Sequence, residues 1–302
     1  MENILITGAS GLIGSMLTNL LNNNYNLVCL VRDANKIDQQ INAKFIVSDI
    51  RDEGLINKLE GLKIDTIYHL AALNPLIKDK KLQRSVNIDG MRNMINITIN
   101  LGIKNFIYAQ GMGVFGNKED IDENTPRDPD TEFAKIRFEA EQILLDASKE
   151  HNFNTCIPIL GDVYGYKGWF VEMIINRLKN NTFKIPGSGE YYRSFVHVYD
   201  ASNALKVLGE NGKEGYYIVC DDHPTKFKDF VFYTADRLGV KRPGKVPAFL
   251  ARAVISGDML KLLTRSIKAN NSKLKDELNF KFRFPEYKSG IDDILRFIQS
   301  SI

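Results

Sequence analysis

The chain has 302 residues, of which 44% are hydrophobic and 25% charged. These proportions exclude collagen-like, coiled-coil and disordered classes, and the length suffices for about two domains with a sizeable core. The net charge is only +3, yet residues 241–302 hold 13 basic and 6 acidic side chains, a basic tail that suits phosphates, nucleic acid or a plain solvated helical face.

From the N-terminus, the β-branched run Asn3–Thr7 predicts a strand and is followed by a helix near 12–23. Strands are expected next at Leu27–Arg32 and Lys44–Val47, a helix near 52–60, a strand at Thr66–Leu70 and a helix near 84–101. A strand at Asn105–Ala109 then leads to a helix near 130–150, with Phe133, Ile136, Ala140, Ile143, Leu144 and Ala147 on one stripe, and to a strand at Thr155–Ile159. Parallel strands joined by helices need crossover connections, so the expected fold class is α/β, a Rossmann-type doubly wound parallel sheet over residues 1–160. After Gly161 the pattern turns irregular, with clusters such as Pro186-Gly187-Ser188-Gly189. Residues 161–302 are expected to form mainly a smaller C-terminal substrate-binding lobe, with helices around Phe249–Val254 and Met259–Leu263 and some later segments returning to the first domain.

No run nears the roughly 18 apolar residues of a membrane span. The start, Met1-Glu2-Asn3-Ile4-Leu5-Ile6, has no basic n-region or cleavage pattern, so no signal peptide is expected. Cys29, Cys156 and Cys220 are few and widely spaced, which fits reduced thiols in a cytoplasm. Histidines at 69, 151, 197 and 223 lack metal-ligand spacing, so no metal site is expected.

Thr7-Gly8-Ala9-Ser10-Gly11-Leu12-Ile13-Gly14 directly follows the first strand and opens the first helix. Gly8 permits the tight turn, Gly11 lets a pyrophosphate approach the backbone, and Gly14 lets helix pack on strand. The helix start, with Ser10, Leu12 and Ile13, then offers N–H groups and a positive dipole end to the phosphates of a dinucleotide. The second strand ends Leu30-Val31-Arg32-Asp33, with Lys36 shortly after. Cations there suit a 2′-phosphate, so NADP is expected over NAD. Asp33, one residue late for a ribose contact, is the competing datum, and Arg32 as a plain surface residue is the alternative.

These motifs resemble the extended short-chain dehydrogenase/reductases, the NAD(P)-dependent epimerase/dehydratase family, with an opening similar to its dihydroflavonol-reductase branch. The resemblance makes Asp49-Ile50 the adenine-contacting pair, His69-Leu70-Ala71-Ala72 the segment flanking the cofactor, and Val86-Asn87-Ile88-Asp89-Gly90 the helix asparagine motif. Val114-Phe115-Gly116 and Val163-Tyr164-Gly165 resemble two Val-Tyr-Gly turns, and Arg193–Asp200 resembles an Arg-x-Phe-x-His-Val-x-Asp segment of the substrate lobe. His69 and His197 are structural within this resemblance. It also implies a homodimer paired through helices 84–101 and 130–150.

The family's usual catalysis uses Ser, Tyr and Lys. Three residues before Val114 stands Gly111; four after Pro129 and four before Glu141 stand Phe133 and Arg137. All three side chains are therefore expected to be replaced. Phenylalanine has no proton to give, and arginine stays charged, so the usual relay, typically worth ~10²–10⁴-fold in rate, is lost. Arg137 can still bond ribose. Substitute acids remain open among Tyr164, Tyr166, Tyr191, Tyr192, Tyr199, Asp162 and the Asp122-Glu123 pair. Shifting the motif to Thr131 and Lys135 breaks both anchors.

Substrate candidates are Met112, Asp162, Tyr164 and Arg193. The resemblance pairs Arg193 with a substrate diphosphate, while Glu190 or Asp200 could neutralise it instead. Three readings follow: an enzyme acting on a nucleotide sugar or small carbonyl compound with non-standard chemistry, a catalytically silent NADP-binding sensor or scaffold, and a nucleic-acid module. The tail lacks a recognised motif or aromatic platform for the third. A small, phosphate-bearing substrate is expected, with neither nucleic acid nor membrane as partner.

Overall fold

The structure, a computed structural model, describes all residues except 37–39, 74, 78, 252–255 and 301–302. Two compact units emerge. The first comprises residues 1–110, 132–159 and 202–217; the second comprises 111–131, 160–201 and 218–302. The chain crosses between the units several times, and the two are close to equal in size.

In the first unit, strands β1 (Asn3–Thr7), β2 (Asn26–Val31), β3 (Ala43–Val47), β4 (Thr66–His69), β5 (Asn105–Tyr108) and β6 (Asn154–Leu160) lie in the order β6-β5-β4-β1-β2-β3, and β7 (Gly215–Val219) extends the sheet beyond β6. From β3 to β6 every neighbouring pair is parallel. The register sets Thr7 opposite Leu30 on one side and His69 on the other. This is the doubly wound order, whose direction reverses between β1 and β4 and opens a crevice at the strands' carboxyl ends. Leu5, Ile6, Cys29, Ile67 and Phe106 are fully buried, as near-continuous apolar strands covered on both faces must be. Burial pushes the Cys29 thiol up to about 11, so it behaves as a core hydrophobe.

Helices α1 (Leu12–Leu21) and α2 (Leu55–Leu59) precede a longer helical run that begins at Lys80, earlier than its apolar pattern suggested. The Asp79 side chain caps it by accepting from the Leu82 N–H at 3.0 Å. A π-helical turn, Ser85–Asp89, then leads into α3 (Gly90–Leu101). Helix α4 (Glu132–His151) buries Ala134, Ile136, Ala140 and Leu144, and with them Arg137 and Glu141. Phe133, Ile143 and Ala147, expected on the buried stripe, are only half-buried.

The second unit is built from short strand pairs. Asp162–Tyr164 runs parallel to Phe195–His197, and Tyr192–Arg193 antiparallel to Thr225–Lys226. Ile185–Pro186 pairs with Lys245–Val246, and Asp120–Ile121 with Lys268–Ala269. Their core joins Tyr164, Phe170, Phe195 and Phe230 to Ile291 and Ile294 of the helix Tyr287–Ser300. Of the two helices expected here, one is Gly257–Thr264. The other is described as Ala248–Ala251, and residues 252–254 of its expected span lie outside the described residues. No described helix is long and apolar enough to cross a membrane, and no described group of His, Cys, Asp or Glu could hold a metal ion.

Candidate functional site

The carboxyl end of β1 is held by a bond set that fixes its own protonation. Thr7 Oγ1 accepts from the Leu70 and Ala71 N–H groups at 3.2 and 3.1 Å and lies 3.0 Å from His69 Nδ1. With both lone pairs used, the hydroxyl donates its hydrogen to Nδ1, which places the imidazole proton on Nε2. Burial, then the charge of Arg137, lowers His69 to about 3. His69 is thus a neutral tie between β1 and β4.

Two glycines shape the turn that follows. Gly8 has φ +69°, and a Cβ on it would sit 2.9 Å from the Ala71 N atom. A Cβ on Gly14 would sit 2.2 Å from the Gly8 oxygen, so the approach of α1 to the turn requires glycine there. At Gly11, by contrast, an added Cβ meets only the Gly8 oxygen, at 3.1 Å. Gly11 is also the N-cap of α1 and has no side chain with which to cap the first turn. The Leu12 and Ile13 end of the helix therefore keeps its donor character for an anion.

Beside this turn lies a cavity of about 230 Å³, lined by Gly8, Ser10 and Gly11, by Arg32 and Lys36, by Asp49 and Ile50, and by Leu70, Ala71 and Ala72. Val86, on the π-helical turn, also lines it. Asp49 accepts from Arg51 Nε at 2.8 Å and Nη2 at 3.0 Å. These bonds hold its carboxyl below the ordinary range against the opposing effect of burial, and the Arg32 charge adds to them. Asp33 accepts from the Asn35 N–H at 3.0 Å and so closes a local turn; it is not among the cavity's lining residues.

Asn87 and Arg137 are buried together instead of lining this cavity. Arg137 donates to the Ala109 carbonyl and, at 3.4 Å, to Asn87 Oδ1, with its guanidinium 4.5 Å over the Tyr108 ring. Gln110 Nε2 donates to the Arg137 carbonyl at 3.1 Å and to Glu141 at 2.8 Å, and Tyr216 donates to Glu141 at 2.8 Å. Phe133 is half-buried in the first unit. Thr131 is buried and Lys135 exposed. In the second unit, Gly111 is exposed with extended backbone, and a Cβ there would meet nothing within 4 Å.

The second unit holds the remaining candidates. Arg193 pairs with Asp162 through Nε at 2.5 Å and Nη2 at 2.7 Å, and its Nη1 donates to the Leu262 carbonyl at 2.7 Å. Burial opposes this charge, but Asp162 more than restores it, so Arg193 stays above its ordinary value. Neither Glu190 nor Asp200 is its partner: Glu190 binds Lys226 and Lys228, and Asp200 accepts the Arg283 and Phe284 N–H groups. Arg265, not singled out from sequence, is nearly fully buried and ion-paired to Asp130. Burial holds it below its ordinary value, with Asp130 offsetting part of this and the charge of Arg193 adding to it. Two arginines thus face two carboxylates.

The Tyr164 ring has no exposed surface and packs edge-on against Phe170, Phe195 and Phe230. Met112 is also buried. Other open acids have structural bonds: Tyr166 donates to Asp293, Tyr191 to the Pro186 carbonyl, Asp122 closes a turn with Thr125, and Glu123 accepts the Ile218 N–H.

A doubly wound sheet with a glycine turn at its switch point and a cavity beside it defines a dinucleotide-binding class of protein. Within that class, the chain belongs to the NAD dependent epimerase/dehydratase family, whose model matches residues 4–220. It is 27% identical over 225 residues to the N-acetyl-alpha-D-glucosaminyl-diphospho-ditrans,octacis-undecaprenol 4-epimerase of Escherichia coli O157:H7, a match covering 72% of this chain and 66% of that protein, just under two thirds of its length. Two solved structures share the fold. The UDP-glucose 4-epimerase of Thermotoga maritima with UDP-glucose has a TM-score of 0.85 at 21% identity, covering 99% of this chain and all of that one. MoeE5 in complex with UDP-glucuronic acid and NAD has a TM-score of 0.86 at 22% identity, with 99% and 100% covered.

Proposed function

We propose that this protein binds NADP and acts on a phosphate-bearing small molecule, a nucleotide sugar or small carbonyl compound, without the family's usual Tyr–Lys proton relay. The observation that carries this reading is the cavity in which the glycine turn, Arg32, Lys36 and Asp49 converge. Gly11 leaves room for a pyrophosphate where a side chain would crowd it, and the Arg32 and Lys36 charges suit a 2′-phosphate. Asp33, the competing ribose ligand, is engaged in its own turn. With the dinucleotide held by these residues, its nicotinamide would supply hydride transfer. The complexes of MoeE5 and of the Thermotoga epimerase support a nicotinamide cofactor and a sugar nucleotide respectively.

For the substrate, Arg193 would exchange its bidentate pairing with Asp162 for a diphosphate, another bidentate acceptor, while Arg265 stays paired to Asp130 in the same unit. Phe133 cannot move a proton. Arg137 presents a permanent charge that is already directed at Ala109 and Asn87. That engagement favours a second reading, a catalytically silent NADP-binding sensor or scaffold. Titration with NADPH tests the cofactor; incubation with 4-deuterated NADPH and a panel of sugar nucleotides and aldehydes separates the two readings. Label transfer supports an enzyme, binding without transfer the silent protein, and absence of NADPH binding refutes both. A homodimer through helices 84–101 and 130–150 belongs to the same proposal, supported by exposed Ile99; sedimentation as 34.3 kDa particles alone would refute it. Buried free thiols at Cys29, Cys156 and Cys220 support a cytoplasmic setting.

A further inference from the structure

The second unit carries an apolar prong that its own core does not use. Phe249 and Leu250 are 73% and 51% exposed, the two large hydrophobics left in solvent on the helix Ala248–Ala251. The chain enters this helix through the strand Lys245–Val246, which pairs with Ile185–Pro186. That pairing brings Lys184 close: its ammonium would lie 3.7 Å from a Cβ on Gly244. Lys184, Lys241 and Lys245 are all exposed, Lys245 lies 3.9 Å from Glu190, which also binds Lys226 and Lys228, and from Lys241 to Gly257 the sequence contains no acidic residue. Exposed apolar side chains on a stretch of chain whose own charges are all basic form a two-part ligand surface.

We infer that this prong docks the protein on an anionic lipid bilayer, with Phe249 and Leu250 entering the acyl boundary and the lysines meeting headgroup phosphates. The physical match is specific. Interfacial anchors combine apolar insertion with basic residues, and neither part alone gives stable attachment. A second copy of this chain is the poorer occupant, because an isologous contact through the prong would set the same lysines against one another. The inference concerns a surface contact, so it coexists with the absence of a spanning helix among the described residues. It stands independently of the cofactor cavity, which lies wholly in the first unit.

The test is co-sedimentation of the full chain with sucrose-loaded vesicles of phosphatidylcholine alone and of phosphatidylcholine with phosphatidylglycerol. Binding is expected only to the anionic vesicles and should weaken as salt is raised. Phe249→Ser with Leu250→Ser should lower the partition coefficient about 100-fold, and Lys245→Ala about fivefold. Both replaced apolar side chains are already exposed, and retained NADPH titration and circular dichroism confirm an intact fold. Absence of binding to either vesicle overturns the inference. So does binding that the double variant retains, and so does sedimentation showing that the double variant abolishes a dimer, which would make a second copy the occupant.

Discussion

Replacing Arg32 by alanine isolates the contact on which the proposed NADP preference rests. Arg32 is exposed at the end of β2 and shares its cavity with Lys36 and the glycine turn. A charge-assisted bond to a phosphate contributes about 1.5–3 kcal/mol, and 1.4 kcal/mol is tenfold in affinity. Arg32→Ala should therefore weaken NADPH binding roughly 10- to 100-fold. NADH, which lacks the 2′-phosphate, should change by less than about threefold on the same reasoning. Lys36→Ala removes a more hydrated point charge and should cost NADPH about fivefold. Fluorescence titration of both nucleotides at two salt concentrations reads these effects, and the preference of the unaltered protein should narrow as salt screens an exposed pair. Tighter binding of NADH than of NADPH by the unaltered protein, or equal weakening of both by Arg32→Ala, would refute the assignment.

The glycine turn predicts a separation of folding from binding. Gly14→Ala places a Cβ 2.2 Å from the Gly8 oxygen and should lower stability by about 1–3 kcal/mol in urea unfolding, whereas Gly11→Ala should leave stability within about 1 kcal/mol and abolish NADPH binding; equal effects would contradict the roles given to them. Restoring Gly111→Ser, Phe133→Tyr and Arg137→Lys together should raise deuteride transfer by ~10²–10⁴-fold, because the serine enters open space; unchanged transfer with retained NADPH binding would show that these are not the positions of the relay. His69 and His197, lowered by burial to about 3 and about 4, take up protons only after the unfolded chain does. Their stabilisation is complete above about pH 6.5 and is lost on acidification at about 1.4 kcal/mol per pH unit each, so His69→Asn should flatten the unfolding-versus-pH curve between pH 6.5 and 4.5. Asp221 has the opposite sign: burial raises its carboxyl well above the ordinary value, and its Oδ2 finds no partner among the described residues. Its contribution is present at low pH and lost as pH rises, so Asp221→Asn should gain about 1 kcal/mol at pH 7 relative to pH 4.

Strands and the glycine turn were legible because both are local: five-residue apolar runs and a spacing of three between glycines suffice to specify them. The predicted boundaries of β1 through β6 lie within a residue or so of those observed. What the sequence hid depends on distant partners. Arg265 becomes visible only through Asp130, 135 residues away, and Arg193, singled out from sequence with Glu190 or Asp200 as its possible partner, pairs instead with Asp162, 31 residues away. Tyr164 sits in a Val-Tyr-Gly turn that promised a substrate contact, but its register beside His197 turns the ring into an aromatic core. The stripe on α4 was read from apolar residues, so the buried Arg137 and Glu141 were missed as packing elements. Nothing in a hydrophobic period marks a charge that is buried because its bonds are satisfied.

That buried pair bears on the proposed assignment of Arg137 to the position of the relay lysine. A position released from its role would be expected to hold a side chain with few contacts. Arg137 has the opposite character: its guanidinium meets the Ala109 carbonyl and Asn87, its own carbonyl accepts from Gln110, and Gln110 reaches on to Glu141 one turn later. Helix α4 therefore grips the segment just past β5 from both sides. A lysine has donors on one point and no planar fork, so it would not reproduce this grip. The same charge also helps keep His69 neutral, which preserves the Thr7–His69 tie beneath the glycine turn. Arginine at this position thus stabilises the first unit, and on the proposed assignment of position 137 to the relay lysine, Arg137→Lys should carry a stability penalty that Gly111→Ser and Phe133→Tyr do not.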